Sequence, residues 1–222
     1  MKINSSLLIV FFILIFTTSS CYAQNSSAAK FINEVEAIQR KYDSVWDATQ
    51  PTIVFTGSSS VRLWKDLEER FPEHQILNTG FGGSTTSDLF MFLEELVIYY
   101  KPEKVFIYEG DNDISAKQSK RNIMKQMMQV VERIRTKSPN SDIIFISPKP
   151  SISRWKLKGK YKRLNKSIQK WAEKDGNLVF VNVWDIMLNG RKVNESLFIE
   201  DGLHMNSTGY DLWYQQIKPH LD

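Results

Sequence analysis

The sequence has one cysteine in 222 residues. A single thiol cannot close an intramolecular disulfide, and it excludes cysteine-built zinc modules and iron–sulfur clusters. Histidine is nearly as scarce: His74, His204 and His220 are the only imidazoles. No apolar run reaches the roughly 20 residues of a membrane span. Charge of one sign is missing as well. Lys and Arg number 29 against 25 Asp and Glu, a net of +4, and without Lys2 in the first 23 residues the remainder carries +3. Apart from a basic cluster from Arg154 to Arg163, the charges read as spread in both signs over a solvated surface, so bulk electrostatics selects no nucleic-acid partner. Whole-chain disorder is excluded by 42% hydrophobic and 24% charged residues.

What is present begins with a leader. Lys2 precedes an apolar run from Leu7 to Phe16, then small polar residues and Cys21-Tyr22-Ala23-Gln24. A short positive region, a ten-residue apolar stretch and small residues before a cut describe a secretory signal peptide over residues 1–23, with a mature domain over 24–222. Cleavage after Ala23 would remove the cysteine altogether. The alternative is a lipoprotein anchored through acylated Cys21, but Thr18 stands where a lipobox usually has leucine, so simple export to the periplasm or medium is the expectation.

Beyond the leader, periodicity predicts a helix over 28–42 and then an alternation. Strands are expected at 52–56, 76–78, 105–108, 143–147 and 178–181. Helices are expected at 86–100, 117–136, 161–174 and 209–221. Short apolar strands alternating with helices imply a parallel sheet covered on both faces. The predicted fold is therefore a single α/β domain, a three-layer α/β/α sandwich with a five-stranded parallel sheet, its functional groups at the carboxyl ends of the strands.

Four segments sit at those ends. Gly57-Ser58-Ser59-Ser60 follows the first strand, where a serine is exposed at a helix start; such serines also serve as N-caps. Asn78-Thr79-Gly80-Phe81-Gly82-Gly83-Ser84 follows the second and can turn backbone N–H groups toward a ligand. Thr85 stands where a dinucleotide fingerprint needs its third glycine. Glu109-Gly110-Asp111-Asn112-Asp113 follows the third, reading as a metal cluster, an Asn/Asp turn, or an amide donor from Asn112. Last, Asp201 lies three residues before His204, where a carboxylate can orient an imidazole and leave its far nitrogen free for a serine.

Together these blocks resemble the SGNH (GDSL-type) hydrolase family, in the branch of platelet-activating-factor acetylhydrolase subunits and bacterial lysophospholipase- or acetylesterase-like proteins. The resemblance runs from Ile53 to about Tyr210. It rests on the F-G-G-S-T run after Asn78, G-D-N-D from Gly110 and D-G-L-H-M-N-S-T-G-Y from Asp201. It implies the flavodoxin-like SGNH fold, with Ser59 as nucleophile, His204 as base and Asp201 as its orienter. The oxyanion hole would be the N–H groups of Ser59 and Gly83 with the Asn112 amide. No metal or cofactor is implied. Ser58 replaces the family aspartate of G-D-S, which leaves Ser58, Ser59 and Ser60 to be told apart; alignment on Gly57 and Trp64 favours Ser59.

The expected function is a secreted serine esterase acting on short acyl or acetyl esters of carbohydrates or lipids. A phospholipid-directed acylhydrolase and a non-catalytic carbohydrate- or lipid-binding module are the alternatives. Arg154 and Trp155, in the basic and aromatic loop 150–163, are candidate substrate contacts, with Trp155 placed to stack on a sugar.

Overall fold

A computed structural model describes residues 29–221. The leader at 1–23, Ala23 and Cys21 lie outside the described residues. Helix α1 occupies 29–43. It is followed by β1 (Thr52–Gly57), the single turn α2 (Ser59–Arg62) and β2 (Gln75–Asn78). Next come α3 (Thr86–Met91), α4 (Leu93–Leu96), β3 (Lys104–Tyr108), α5 (Asp111–Ser115) and α6 (Lys120–Lys137). The chain closes with β4 (Asp142–Ile146), α7 (Lys158–Asp175), β5 (Leu178–Val181), a small hairpin of β6 (Leu188–Asn189) and β7 (Lys192–Val193), and α8 (Ser207–Ile217).

Five strands pair in parallel in the order β2-β1-β3-β4-β5. Every residue of β1 is buried, because helices cover both faces of the sheet and each strand must be apolar on both sides. Alternate residues serve the two layers. Val54, Val105, Ile107, Ile143 and Phe145 join the core beneath α1, α3, α4, α6 and α7. Ile53, Phe55, Phe106 and Ile144 join Trp64 and Trp213 in the core beneath α2 and α8. There the Phe55 and Phe106 rings stack at 4.3 Å between centroids.

The chain leaves β1 toward β2 on one side and returns to β3 on the other. That reversal opens a crevice at the carboxyl ends of β1 and β3, where open α/β sheets place ligands. Three expectations need correction. The helix expected over 86–100 is broken into α3, α4 and a 3-10 turn at Ile98–Tyr100, since Phe92 and Val97 leave helical geometry. Lys101, before Pro102, then takes a left-handed φ of 46° and closes the turn. Gly110–Asp113, which also reads as a turn, instead enters α5, and the long helix starts at Lys120 rather than 117.

Candidate active site

Ser59 is the first residue of α2, half-buried between buried Ser58 and Ser60. The turn is possible because residue 57 is glycine. Its φ is +128°, and a Cβ there would lie 2.1 Å from the Tyr108 carbonyl oxygen of the neighbouring strand. Any side chain would push β1 and β3 apart at the crevice.

Across 145 residues of sequence, Ser59 Oγ meets His204 Nε2 at 2.8 Å. His204 Nδ1 meets Asp201 Oδ2 at 2.5 Å. The second Asp201 oxygen accepts the backbone N–H groups of Leu203 (2.8 Å) and His204 (2.9 Å). Burial alone would raise the Asp201 carboxyl, but those N–H groups and the ring outweigh it and bring it down to about 2. An ionised Asp201 can only accept, so the Nδ1–H of His204 donates to it, which leaves Nε2 as acceptor for the Ser59 hydroxyl. The histidine segment is tied down on both sides. Lys149 Nζ donates to Leu203 O at 2.5 Å, and Tyr210 Oη donates to Ser60 O at 2.9 Å, joining α8 to the serine turn.

Gly83 has φ +76°. Among the described residues, neither its N–H nor that of Ser59 has an acceptor. The N–H of Gly82, one residue earlier, is taken by both Glu34 oxygens at 3.1 Å, and Glu34 also receives Arg62 Nη1 at 3.3 Å. Helix α1 thus holds the glycine loop in place. Asn112 Nδ2 donates to Ser84 O at 2.8 Å, which sets the Asn112 amide beside Gly83.

Arg154 decides which way that amide points. Its Nη2 donates to Asn112 Oδ1 at 2.9 Å and its Nη1 to Asp111 Oδ1 at 2.6 Å. With Oδ1 engaged and one N–H on Ser84, a single Asn112 N–H remains to donate. Asp111 is buried and also accepts from Tyr108 Oη (3.1 Å) and Tyr161 Oη. Burial would raise its carboxyl, yet the charges of Lys149 and Arg154 overcome this and hold it below the usual carboxylate range. Lys149, with no exposed surface, is pushed by burial down to about 8, against the pull of Asp111.

Of the sequence candidates, Ser59, His204 and Asp201 form one hydrogen-bonded chain, and Gly83 and Asn112 are linked through Ser84. Arg154 is at the site, but its guanidinium is engaged by protein groups. Trp155 is half-buried with one ring face on Trp184 (6.1 Å, 16°) and Lys158 Nζ 4.7 Å from its ring centre. The carboxylates of the third block do not converge. Glu109 accepts from Ser84 Oγ at 2.6 Å, Asp111 faces Arg154, and Asp113 accepts from Thr86 N. Among the described residues no group of three His, Cys, Asp or Glu side chains gathers for a metal ion. Sequence reasoning missed Glu34 and Lys149. Glu34 carries no local signal. Lys149, alone between Pro148 and Pro150 just after β4, was findable as a lysine at the sheet's carboxyl edge.

The sequence profile of the GDSL-like lipase/acylhydrolase family matches residues 43–212. No curated protein matches the sequence. Among solved structures the fold is similar to a Streptococcus pneumonia protein provisionally named a platelet activating factor. That similarity has a TM-score of 0.75 and 23% identity, covering 91% of this chain and 99% of that one. A GDSL-like lipase from Bacteroides thetaiotaomicron is similar at TM-score 0.70 and 22% identity, covering 82% and 96%. A catalytic mutant of an acetylxylan esterase from Geobacillus stearothermophilus is similar at 0.63 and 17%, covering 76% and 93%.

Proposed function

The chain belongs to the GDSL-like lipase/acylhydrolase family and is a carboxylic-ester hydrolase, and from that premise we propose that it cleaves short acyl esters, acetylated carbohydrates foremost, through an acyl-enzyme on Ser59. The carrying observation is the chain Ser59 Oγ–His204 Nε2 and His204 Nδ1–Asp201 at 2.8 and 2.5 Å.

In this reading Ser59 Oγ attacks the ester carbonyl as its proton passes to His204 Nε2. Asp201 holds the resulting imidazolium. The oxyanion is received by the N–H groups of Ser59 and Gly83 and by the remaining N–H of Asn112, donors set before the reaction and so effective without reorganisation. His204 then protonates the departing alcohol and draws a proton from the water that releases the acid. The chain's own groups supply each proton transfer. The leader read over residues 1–23 supports export to the periplasm or medium, where polymeric esters are met. The ordered serine–histidine pair favours an enzyme over a binding module on the same scaffold.

Hydrolysis of p-nitrophenyl acetate tests this. Ser59→Ala and His204→Ala should each lower kcat by about 10³-fold or more, with the folded circular-dichroism spectrum retained. Turnover surviving Ser59→Ala would sink the assignment. A panel running from acetyl to long acyl chains separates the sugar-ester reading from a phospholipid one, since strong preference for long chains would reject acetyl esters.

A further inference from the structure

The charge distribution departs from the expectation of both signs mixed outside residues 154–163. Between 116 and 170 there are 16 Lys and Arg against two acids, Glu132 and Asp142, a net of +14 in a chain whose total is +4, so the remainder carries −10. The asymmetry is spatial, because α6 and α7 lie side by side in one layer. On α7 five lysines recur at every fourth residue: Lys158, Lys162, Lys166, Lys170 and Lys174. All five are exposed. At 1.5 Å of rise and about 100° of turn per residue they form an oblique stripe that climbs about 24 Å, with a charge roughly every 6 Å, while winding about 160° around the helix. Like charges at this spacing repel along a helix, and among the described residues the four from Lys162 to Lys174 make no ion pair, while nearby Asp175 is taken by Arg135.

The row starts at the candidate active site. At the first turn of α7, Tyr161 Oη bonds Asp111, and Asn165 Nδ2 bonds Pro148 O at 3.0 Å. On the other flank of α7, Lys160 and Arg163 meet Lys117 and Lys120 around a depression of about 220 Å³ floored by Ile114, Ile123 and Leu164. Ile114 belongs to the same short helix as Asn112.

We propose that the α7 lysine row, with this basic depression, docks a carboxylate-bearing polysaccharide whose acyl ester is presented to Ser59. The inference rests on the ester-hydrolase reading and names its substrate class. Regularly spaced cations along an exposed stripe that crosses α7 obliquely suit a linear polymer with one negative charge per unit, laid across the helix. Single-stranded nucleic acid would call for aromatic stacking platforms among the cations, and among the described residues the one exposed aromatic ring, Tyr99, lies on neither α6 nor α7. A bilayer surface would call for apolar side chains to insert, and α7 exposes no large one.

The test is binding of unesterified polygalacturonate to the full protein by calorimetry at 20 and 200 mM NaCl. Binding at low salt, weakened about tenfold or more at high salt and lost on combining Lys162→Gln, Lys166→Gln, Lys170→Gln and Lys174→Gln, is the expected result. No binding at low salt overturns the proposal, as does tighter binding to oligothymidylate or to phosphatidylserine-containing vesicles. For turnover, the ratio of kcat/KM on an acetylated polyuronate to that on p-nitrophenyl acetate should fall at least tenfold in the fourfold variant; an unchanged ratio overturns it. Because the binding arm needs no catalysis, failure of the esterase reading shows separately, as absent p-nitrophenyl acetate hydrolysis by the unmodified protein.

Discussion

Replacing Arg154 by methionine separates two roles for this residue, holding the Asn112 amide and touching substrate. In the structure Arg154 donates to Asn112 Oδ1 at 2.9 Å and to Asp111 at 2.6 Å. A hydrogen bond to a charged donor contributes about 1.5–3 kcal/mol, which biases the amide orientation by roughly 10- to 150-fold at 1.4 kcal/mol per decade. Without it, the neutral bond from Asn112 Nδ2 to Ser84 O, worth about 1 kcal/mol, is left to resist a flip that presents an acceptor to the oxyanion. Complete loss of one oxyanion donor costs about 10²–10³ in kcat. The retained Ser84 bond makes the expected fall smaller, about 10- to 100-fold in kcat with KM within about threefold. Stability should drop too, because breaking a buried pair costs about 3–5 kcal/mol; Tyr108 and Tyr161 still on Asp111 place the loss at the lower end. Steady-state kinetics on p-nitrophenyl acetate at 20 °C, beside a thermal melt, measures both. A kcat within twofold of the parent with KM raised tenfold would refute the positioning argument and restore Arg154 as a substrate contact.

Asp201→Asn should leave the fold intact but lower kcat by about 10⁴-fold, because an amide can hold His204 in the wrong tautomer; a fall under tenfold would exclude Asp201 as the orienter. Glu34→Gln weakens the grip on the Gly82 N–H and should lower kcat about 3- to 10-fold through one weakened charge-assisted bond, while a change confined to melting temperature would make α1 a purely structural strap. Gly57→Ala forces a Cβ to 2.1 Å from the Tyr108 carbonyl and should destabilise by more than about 4 kcal/mol, read by urea denaturation; a loss under 1 kcal/mol contradicts it. Lys149, lowered to about 8 in the folded state, holds fewer protons there than in the unfolded chain between about pH 8 and its ordinary 10.5. Its contribution therefore makes stability rise with pH across that window, by at most about 1.4 kcal/mol per unit. Lys149→Met should remove that share of the slope in urea melts at pH 8–10, and an unchanged slope would show that Lys149 stays charged.

The sheet was readable because a parallel strand covered on both faces is a short apolar run, as Thr52–Gly57 and Asp142–Ile146 show. Helix ends were less so. The break at Phe92 serves the burial of Leu93, Leu96 and Val97, a tertiary demand with no mark in local periodicity. In the site, Asp201 and His204 are three residues apart, so their pairing is a local geometric expectation. Contact of Ser59 with His204 joins positions 145 apart and became legible through the joint pattern of four blocks at strand ends. Arg154 on Asn112 and Glu34 on Gly82 were not legible, since each is a long-range bond made by a residue type common on surfaces; for Lys149 the position after β4 was legible but its partner, Leu203 O, was not. The basic face escaped for a related reason: a net of +4 conceals +14 in one segment balanced by −10 elsewhere.

The most direct test of the central claim is to label the protein with a fluorophosphonate and map the adduct by tandem mass spectrometry. Three adjacent serines, Ser58, Ser59 and Ser60, compete for it, and only Ser59 is hydrogen-bonded to His204. The account predicts one adduct per chain, on Ser59, lost in His204→Ala. An adduct on Ser58 or Ser60, or none on folded protein, would contradict it.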